Sequence, residues 1–273
     1  MHSDSTGDLH GVCMGEHAPQ PVWLGLLGSF RLLRWGEPLA VRAGGKTEAL
    51  LGHLGLASMQ GVPRALLLSL VWPDSEAGLA ANAFNNVVHN LRGQLGAALG
   101  GASPVVQTGG YCRLNREAGI GVDVVEFTAL AGEAQRQARL GDTPAAANLA
   151  HRAIELYRGD LHSDADGTPS AILERDRLRA TCLSMLMLLA DDAFARADLS
   201  GCLSYALQLL AHDPCREDAH RLVMRCYLRR GERAQALRHY TTVKKILRVE
   251  FDAEPEPTTT ALYEQMRLRP STV

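Results

Sequence analysis

A chain of 273 residues is long for one ordinary core and suits two domains of roughly 100–150 residues each. Its 46% hydrophobic content is globular, and aromatics at 5% are too scarce for a β-sandwich, so packed helices are expected. The net charge of −2 conceals a division: residues 1–20 hold three acids and no Lys or Arg, residues 21–118 eight basic and five acidic side chains, and the remainder 20 and 22, so only the first folded segment is basic.

The six cysteines stand at 13, 112, 182, 202, 215 and 226. They form no CxxC and no cluster of zinc spacing, so they read as small core fillers in a reducing compartment. No apolar run approaches the roughly 20 residues of a membrane helix. The acidic first 20 residues lack the basic and apolar regions of a signal or transit peptide. They are expected to form a flexible tail, and the protein is expected to be cytoplasmic with no membrane partner.

From Val22 to Val41, short apolar runs broken by glycine predict two or three strands, with Gly36-Glu37-Pro38 as the hairpin turn. Leu50, Leu51, Leu54 and Ala57 then fall at helical spacing within Lys46–Ser58. Pro63 suits the first turn of a short second helix, Arg64 to Val71. Asp74 or Ser75 can cap a longer third helix that Gly100-Gly101 ends. Its stripe is Phe84, Val87, Val88, Leu91 and Leu95, with Asn85, Asn86, His89 and Asn90 mostly opposite. Val105 to Leu114, with a Thr108-Gly109-Gly110 turn, reads as a hairpin. Strands, a short helix before a longer one, and a hairpin straight after make the plan of a winged helix-turn-helix.

After Asn115 the pattern is helical, and it repeats. Gly141, Ala197 and Gly231 occupy equivalent turn positions. They are followed at matching offsets by Ala146, Cys202 and Ala236, by Ala150, Ala206 and Tyr240, and by Ala153, Leu209 and Val243. The last two units are 34 residues apart, the tetratricopeptide period, and the first two are 56 apart. About 22 residues are therefore inserted, around 158–170. Small residues at these positions let paired helices approach closely. A final amphipathic helix, Thr258 to Leu268, is expected to cap the stack.

The expected architecture is mainly α with a small β component: a tail over 1–20, a winged-helix DNA-binding domain over 21–118, and a tetratricopeptide-like domain over 119–273. A helix in the major groove needs side chains that match base edges, and Asn bidentate to adenine is a standard solution. Asn82, Asn85, Asn86, His89, Asn90 and Arg92 are the candidate reading residues. Asn is a poor helix former, so their density is unusual, although a solvated face is the default for an arbitrary helix. Lys46, Arg64, Arg92 and Arg113, with the wing residue Tyr111, are the candidate phosphate contacts. Arg92 has a rival role, packing its stem over Trp or Phe.

Enzyme motifs fail. Gly45-Lys46-Thr47 resembles the end of a phosphate loop, but the required first glycine position is Ala40. No GxSxG, HExxH or GxGxxG occurs. Asp160, Asp164 and Asp166 depart from a calcium loop at Leu161, His162 and Thr168 and read as a capping cluster. His151, His162, His212, His220 and His239 are scattered and suggest no metal site. No catalytic residue, cofactor or metal is expected. The late basic residues from Arg221 to Arg248 are interleaved with acids and read as a solvated face, with a partner-binding surface as the alternative.

Several short segments, in order and spacing, resemble a known family. They are LGLLGSFRL at 24–32, Lys46–Leu51, Leu70–Asp74, Asn90-Leu91-Arg92, Gly110–Leu114, Tyr157–Asp160, Glu174–Leu178, Glu254–Pro257 and Leu262-Tyr263-Glu264. Over roughly 22–268 the chain resembles SARP-type bacterial activators: an OmpR-like winged helix followed by a bacterial transcriptional activator domain. The resemblance implies an activator that binds direct repeats in promoter double-stranded DNA as a homodimer or tandem protomers and contacts RNA polymerase. Around Leu91-Arg92 this chain has fewer cations than the family's recognition helices carry. The alternatives are a protein-interaction scaffold with a vestigial winged helix, or a ligand sensor whose 158–170 insertion closes over a small molecule.

Overall fold

The computed structural model describes residues 20–162 and 169–268. Residues 1–19 of the expected 1–20 tail, Cys13 among them, and the middle of the 158–170 insertion lie outside the described residues. Contacts divide the chain into two units. The first holds the described residues up to Gly25 and Phe30–Val122; the second holds Leu26–Ser29 and the described residues from Asp123 onward.

The first unit opens with strands β1 (Val22–Gly25), β2 (Arg31–Arg34) and β3 (Glu37–Pro38). The β2–β3 turn is Trp35-Gly36, both at positive φ, not the expected 36–38. Two successive left-handed residues match the twist of a tight hairpin. Helix α1 (Lys46–Leu56) buries Leu50, Leu51 and Leu54. A two-residue strand, β4 (Val62–Pro63), leads directly into α2 (Arg64–Val71).

Helix α3 (Ala77–Leu95) starts later than the sequence suggested. Neither Asp74 nor Ser75 caps it; Glu76 is the N-cap residue and makes no side-chain cap bond. It also ends earlier, at Leu95, and irregular turns carry the chain to Gly101. Ala80, Phe84, Leu91 and Leu95 are buried at spacings of four, seven and four, one face of the helix. Trp72, which ends α2, meets Phe84 edge-on at 6.4 Å and closes the α2–α3 corner.

The wing is β5 (Val105–Thr108) and β6 (Tyr111–Leu114), joined by Gly109-Gly110 with both φ values positive. β4 joins it on the other edge in the order β4-β6-β5, and the Arg64 N–H donates to Gly110 O at 2.8 Å. The wing is thereby tied to the start of α2. A strand that periodicity did not reveal, β7 (Ile120–Val122), runs parallel to β1 and completes the sheet β3-β2-β1-β7.

The second unit contains α4 (Asp123–Leu140), α5 (Thr143–Leu156), α6 (Pro169–Ala195), α7 (Leu199–His212), α8 (Glu217–Arg229), α9 (Arg233–Phe251) and α10 (Pro257–Leu268). Gly141, Ala197 and Gly231 all take positive φ at the three equivalent turns. The following residues, Asp142, Asp198 and Glu232, donate their N–H back to Gln137, Ala193 and Tyr227 O, the bond that closes each helix end. All nine small or apolar repeat residues are buried. The insertion is divided, not confined to 158–170. Twelve residues separate α5 from α6 against four between α7 and α8, and α6 has 27 residues against 13 in α8. The helix therefore takes the larger share. α10 packs against α8 and α9, with Leu262 and Met266 buried beside Met224 and Tyr240.

Residues 26–29 join this unit through Asp123, only 1% exposed. Its carboxylate accepts the N–H of Leu26 (2.8 Å), Leu27 (2.9 Å) and Val124 (2.8 Å). A buried carboxylate demands such donors, because an unpaired charge away from water is costly. Gly28 N–H donates to Asp160 O and His162 N–H to Leu26 O. The fold is mainly α with a small β component: a winged helix-turn-helix unit and an α-helical tetratricopeptide-like unit.

Candidate nucleic-acid interface

Helix α3 presents its polar face outward, because the other face is taken by Ala80, Phe84, Leu91 and Leu95. Asn82, Asn85, Asn86, His89, Asn90 and Arg92 are all exposed. At about 100° per residue, Leu79, Asn82, Asn86, Asn90 and Gly93 share an arc of about 80°. His89 and Asn85 flank one side of it. Among the described residues, none of the four Asn side chains nor His89 makes a hydrogen bond or ion pair within the molecule. Leu79, which sequence reading did not single out, is 63% exposed at the N-terminal end of the same arc. Its helical spacing places it on the polar side, away from the apolar stripe, so the pattern itself was the signal that could have found it.

The predicted phosphate contacts are less uniform. Lys46 is exposed at the start of α1, and Tyr111 is exposed at the wing tip. The Arg64 guanidinium lies over the Phe84 ring at 5.2 Å, the stacking role the sequence suggested for Arg92. Arg92 instead extends to Gly101 O at 3.5 Å and stays exposed. Arg113 pairs with Glu117 at 3.2 Å, one turn further on. Arg34, not among the predicted residues, donates to Gln94 O at 2.9 Å and ties β2 to the end of α3. The α2 helix leaves Leu66 and Leu70 exposed on its outer side.

In the helical unit most of the late basic residues are engaged. Arg216 pairs with Asp218, Arg221 with Glu256, Arg230 with Glu232, Lys244 with Glu254 and Arg248 with Asp252. Arg233 donates to the carbonyls of Met266 and Arg267 at the end of α10. Asp160 accepts a 2.8 Å bond from the Tyr157 hydroxyl, in keeping with a turn role. Burial and that carboxylate push the Tyr157 phenol up. Asp164 and Asp166 lie outside the described residues. Among the described residues no three His, Cys, Asp or Glu side chains gather as metal ligands would.

Two pairs were invisible in the sequence because their members are far apart along it. His220 Nδ1 and His239 Nε2 are 2.9 Å apart between α8 and α9, and His220 Nε2 is 2.8 Å from Pro214 O. The carbonyl can only accept, so His220 carries its proton on Nε2 and His239 donates to Nδ1. Burial lowers both imidazoles, and His220 helps hold His239 down to about 4. Cys202 and Cys226, both fully buried, place their Sγ atoms 3.1 Å apart between α7 and α8.

The Bacterial transcriptional activator domain model matches residues 122–267, more than half of the chain and nearly the whole helical unit. The chain belongs to the SARP-type bacterial transcriptional activators. It is 28% identical to the regulatory protein AfsR of Streptomyces coelicolor over 85% of its length, and 27% identical to AfsR of Streptomyces griseus over 88%. It spans only 23% and 24% of those two proteins. The regulatory protein DnrI of Streptomyces peucetius is of similar size: 26% identity covers 77% of this chain and 79% of DnrI. Among solved structures, Mycobacterium tuberculosis EmbR in complex with a low affinity phosphopeptide superposes with a TM-score of 0.72. That match has 22% identity and covers 90% of this chain and 65% of that one, a likeness of fold. No helix among the described residues is long and apolar enough to cross a membrane.

Proposed function

We propose that this SARP-type chain is a sequence-specific DNA-binding transcriptional activator acting in the cytoplasm. Helix α3 enters the major groove, and its outward Asn and His side chains meet base edges. Lys46, Arg64, Arg92, Arg113 and Tyr111 meet backbone phosphates and fix the register. The boundaries at 21–118 and 119–273 separate the reading domain from the domain that meets protein partners. Two protomers bind direct repeats in a promoter, and RNA polymerase is the protein partner. The observation that carries this reading is the uncommitted polar arc of α3, aimed away from its own core and followed directly by a wing.

Few cations mean few released counterions. If four phosphates are neutralised, the slope of log affinity against log salt is about −3.6. Single-protomer binding is weak, and pairing on a repeat raises it through effective concentration. Capture of genomic fragments by the purified protein, followed by titration of the recovered sites, tests all of this. Asn86→Ala combined with Arg92→Ala is expected to abolish sequence-specific binding. Full retention in that double variant removes α3 as the reading helix. Binding no better than background at low salt, with a stable protein complex through the helical unit, establishes the scaffold alternative.

A further inference from the structure

Building on the DNA-binding reading above, we infer that the target is A·T-centred: Asn82 and Asn86 each read an adenine, and Leu79 contacts a neighbouring thymine methyl. The geometry of α3 carries this. The N-terminal residues of a recognition helix are those that reach base edges. Over the first ten residues of α3 the exposed side chains larger than alanine are Leu79, Asn82, Asn85 and Asn86. Asn82 and Asn86 are one helical turn apart on one side, separated along the axis by about 6 Å. That is close to two base-pair steps of about 3.4 Å.

The chemistry discriminates between base pairs. A carboxamide offers one donor and one acceptor side by side, which matches adenine N6 and N7. Guanine presents two acceptors, O6 and N7, and is matched by Arg or Lys. The central arc from Leu79 to Gly93 contains neither. Arg92, the only cation on α3, lies about 120° from Asn86 by helical spacing and extends to Gly101 O. The guanidinium of Arg64 is stacked on Phe84. Leu79 offers no hydrogen bond, and its exposed isobutyl group suits the thymine C5 methyl, the one apolar feature of the major groove. Asn82 and Asn86 make no side-chain hydrogen bond among the described residues, so reading a base breaks none of those bonds.

The test is selection of the full-length protein against a randomised duplex library at low salt. Parallel selections use Asn82→Ala, Asn86→Ala, Asn86→Arg and Leu79→Ser, with circular dichroism melts as the control for folding. The expected motif contains two adenines within a window of three or four base pairs. Replacing either A·T pair by G·C weakens binding by about 5–100-fold. Each Asn→Ala change flattens the preference at one position, Asn86→Arg moves that position towards guanine, and Leu79→Ser relaxes the thymine position. A G·C-centred motif overturns the inference while leaving DNA binding by this helix intact. An A·T-rich motif that survives both Asn→Ala changes also overturns it, because the sequence is then read through DNA shape. If no sequence is enriched and no duplex is bound, the underlying DNA-binding reading falls as well.

Discussion

The outward face of α3 and the basic surface of α8 and α9 are both polar helix surfaces, but they are organised in opposite ways. On α3 the Asn side chains and His89 have no partner among the described residues, and the arc they form is uncharged. On α8 and α9 the charges are dense, and Arg221, Arg230, Lys244 and Arg248 are each held by an acid. Counting cations would have pointed to the second surface as the nucleic-acid site. Exposed pairs add little stability, but each cancels the charge of its own cation, leaving residues such as Arg238 and Lys245 outside these pairs. A recognition surface is better identified by polar groups the fold leaves uncommitted than by its gross charge.

The largest effect should come from the packing beneath the charged surface. Ala206 is fully buried where α7 meets its neighbours, among Ala190, Ala193, Cys202 and Val223. Ala206→Leu forces extra methylenes into a site built for close helix approach and should cost about 2–3 kcal/mol. Urea unfolding measures the loss. A shift of the midpoint by less than the error of the fit would mean the helices are loosely packed at that repeat position.

Acidification should act on the same unit, more moderately. The folded pKa of both His220 and His239 is depressed, so the unfolded chain binds more protons as pH falls. Stability is therefore full above the ordinary histidine range near 6.5 and is lost as pH falls through it towards about 4, the folded value for His239. After solvent screening, the expected loss is about 1–2 kcal/mol. Burial and Asp218 raise the Asp191 carboxyl, which acts in the opposite direction on acidification, and the Arg216 hydrogen bond lowers Asp218 against the burial that raises it, so the assignment needs a variant. His239→Gln should flatten the pH dependence between 6.5 and about 4 while leaving stability at pH 8 less affected. An unchanged slope in that variant would remove His239 as the group responsible.

A smaller change of opposite sign is expected at the turn before α7. Ala197 holds φ 61 where its counterparts are glycines. A Cβ in that region is strained, so Ala197→Gly should stabilise by about 0.5–1 kcal/mol despite the added freedom of the unfolded chain. Thermal melts against Gly141→Ala, expected to destabilise by a similar amount, complete the comparison.

What sequence reading recovered follows from which interactions are local. The limits of α2 and the polar arc of α3 rest on residues within a few turns of one another, the 34-residue repeat rests on one such local pattern recurring, and all were legible. β7 was not, because three residues carry no periodicity and its pairing with β1 lies almost a hundred residues away. The attachment of Leu26–Ser29 through Asp123 was hidden for the same reason. The insertion was placed in a loop because Gly, Pro and Asp are conspicuous there, whereas added turns in α6 leave no mark in composition. The His220–His239 pair depends on which faces of two helices meet, and neither helix shows that by itself. At the α3 site, the residue types were legible but their freedom from internal partners was not.

The smallest stability effect is the most informative about α3. Asn82 and Asn86 are exposed, mid-helix and without an internal hydrogen bond. Asn disfavours helix relative to Ala by roughly half a kcal/mol or more at such positions. A surface that served only solubility would gain by losing it. Asn82→Ala with Asn86→Ala should therefore leave the protein unchanged or more stable by up to about 1 kcal/mol, while specific DNA binding collapses. Melting curves and binding titrations on one preparation measure both. If stability falls together with binding, the asparagines support the fold and the contrast with the paired surface of α8 and α9 disappears. If stability rises and binding falls, these side chains are kept at a cost to the helix, as groups reserved for an external partner would be.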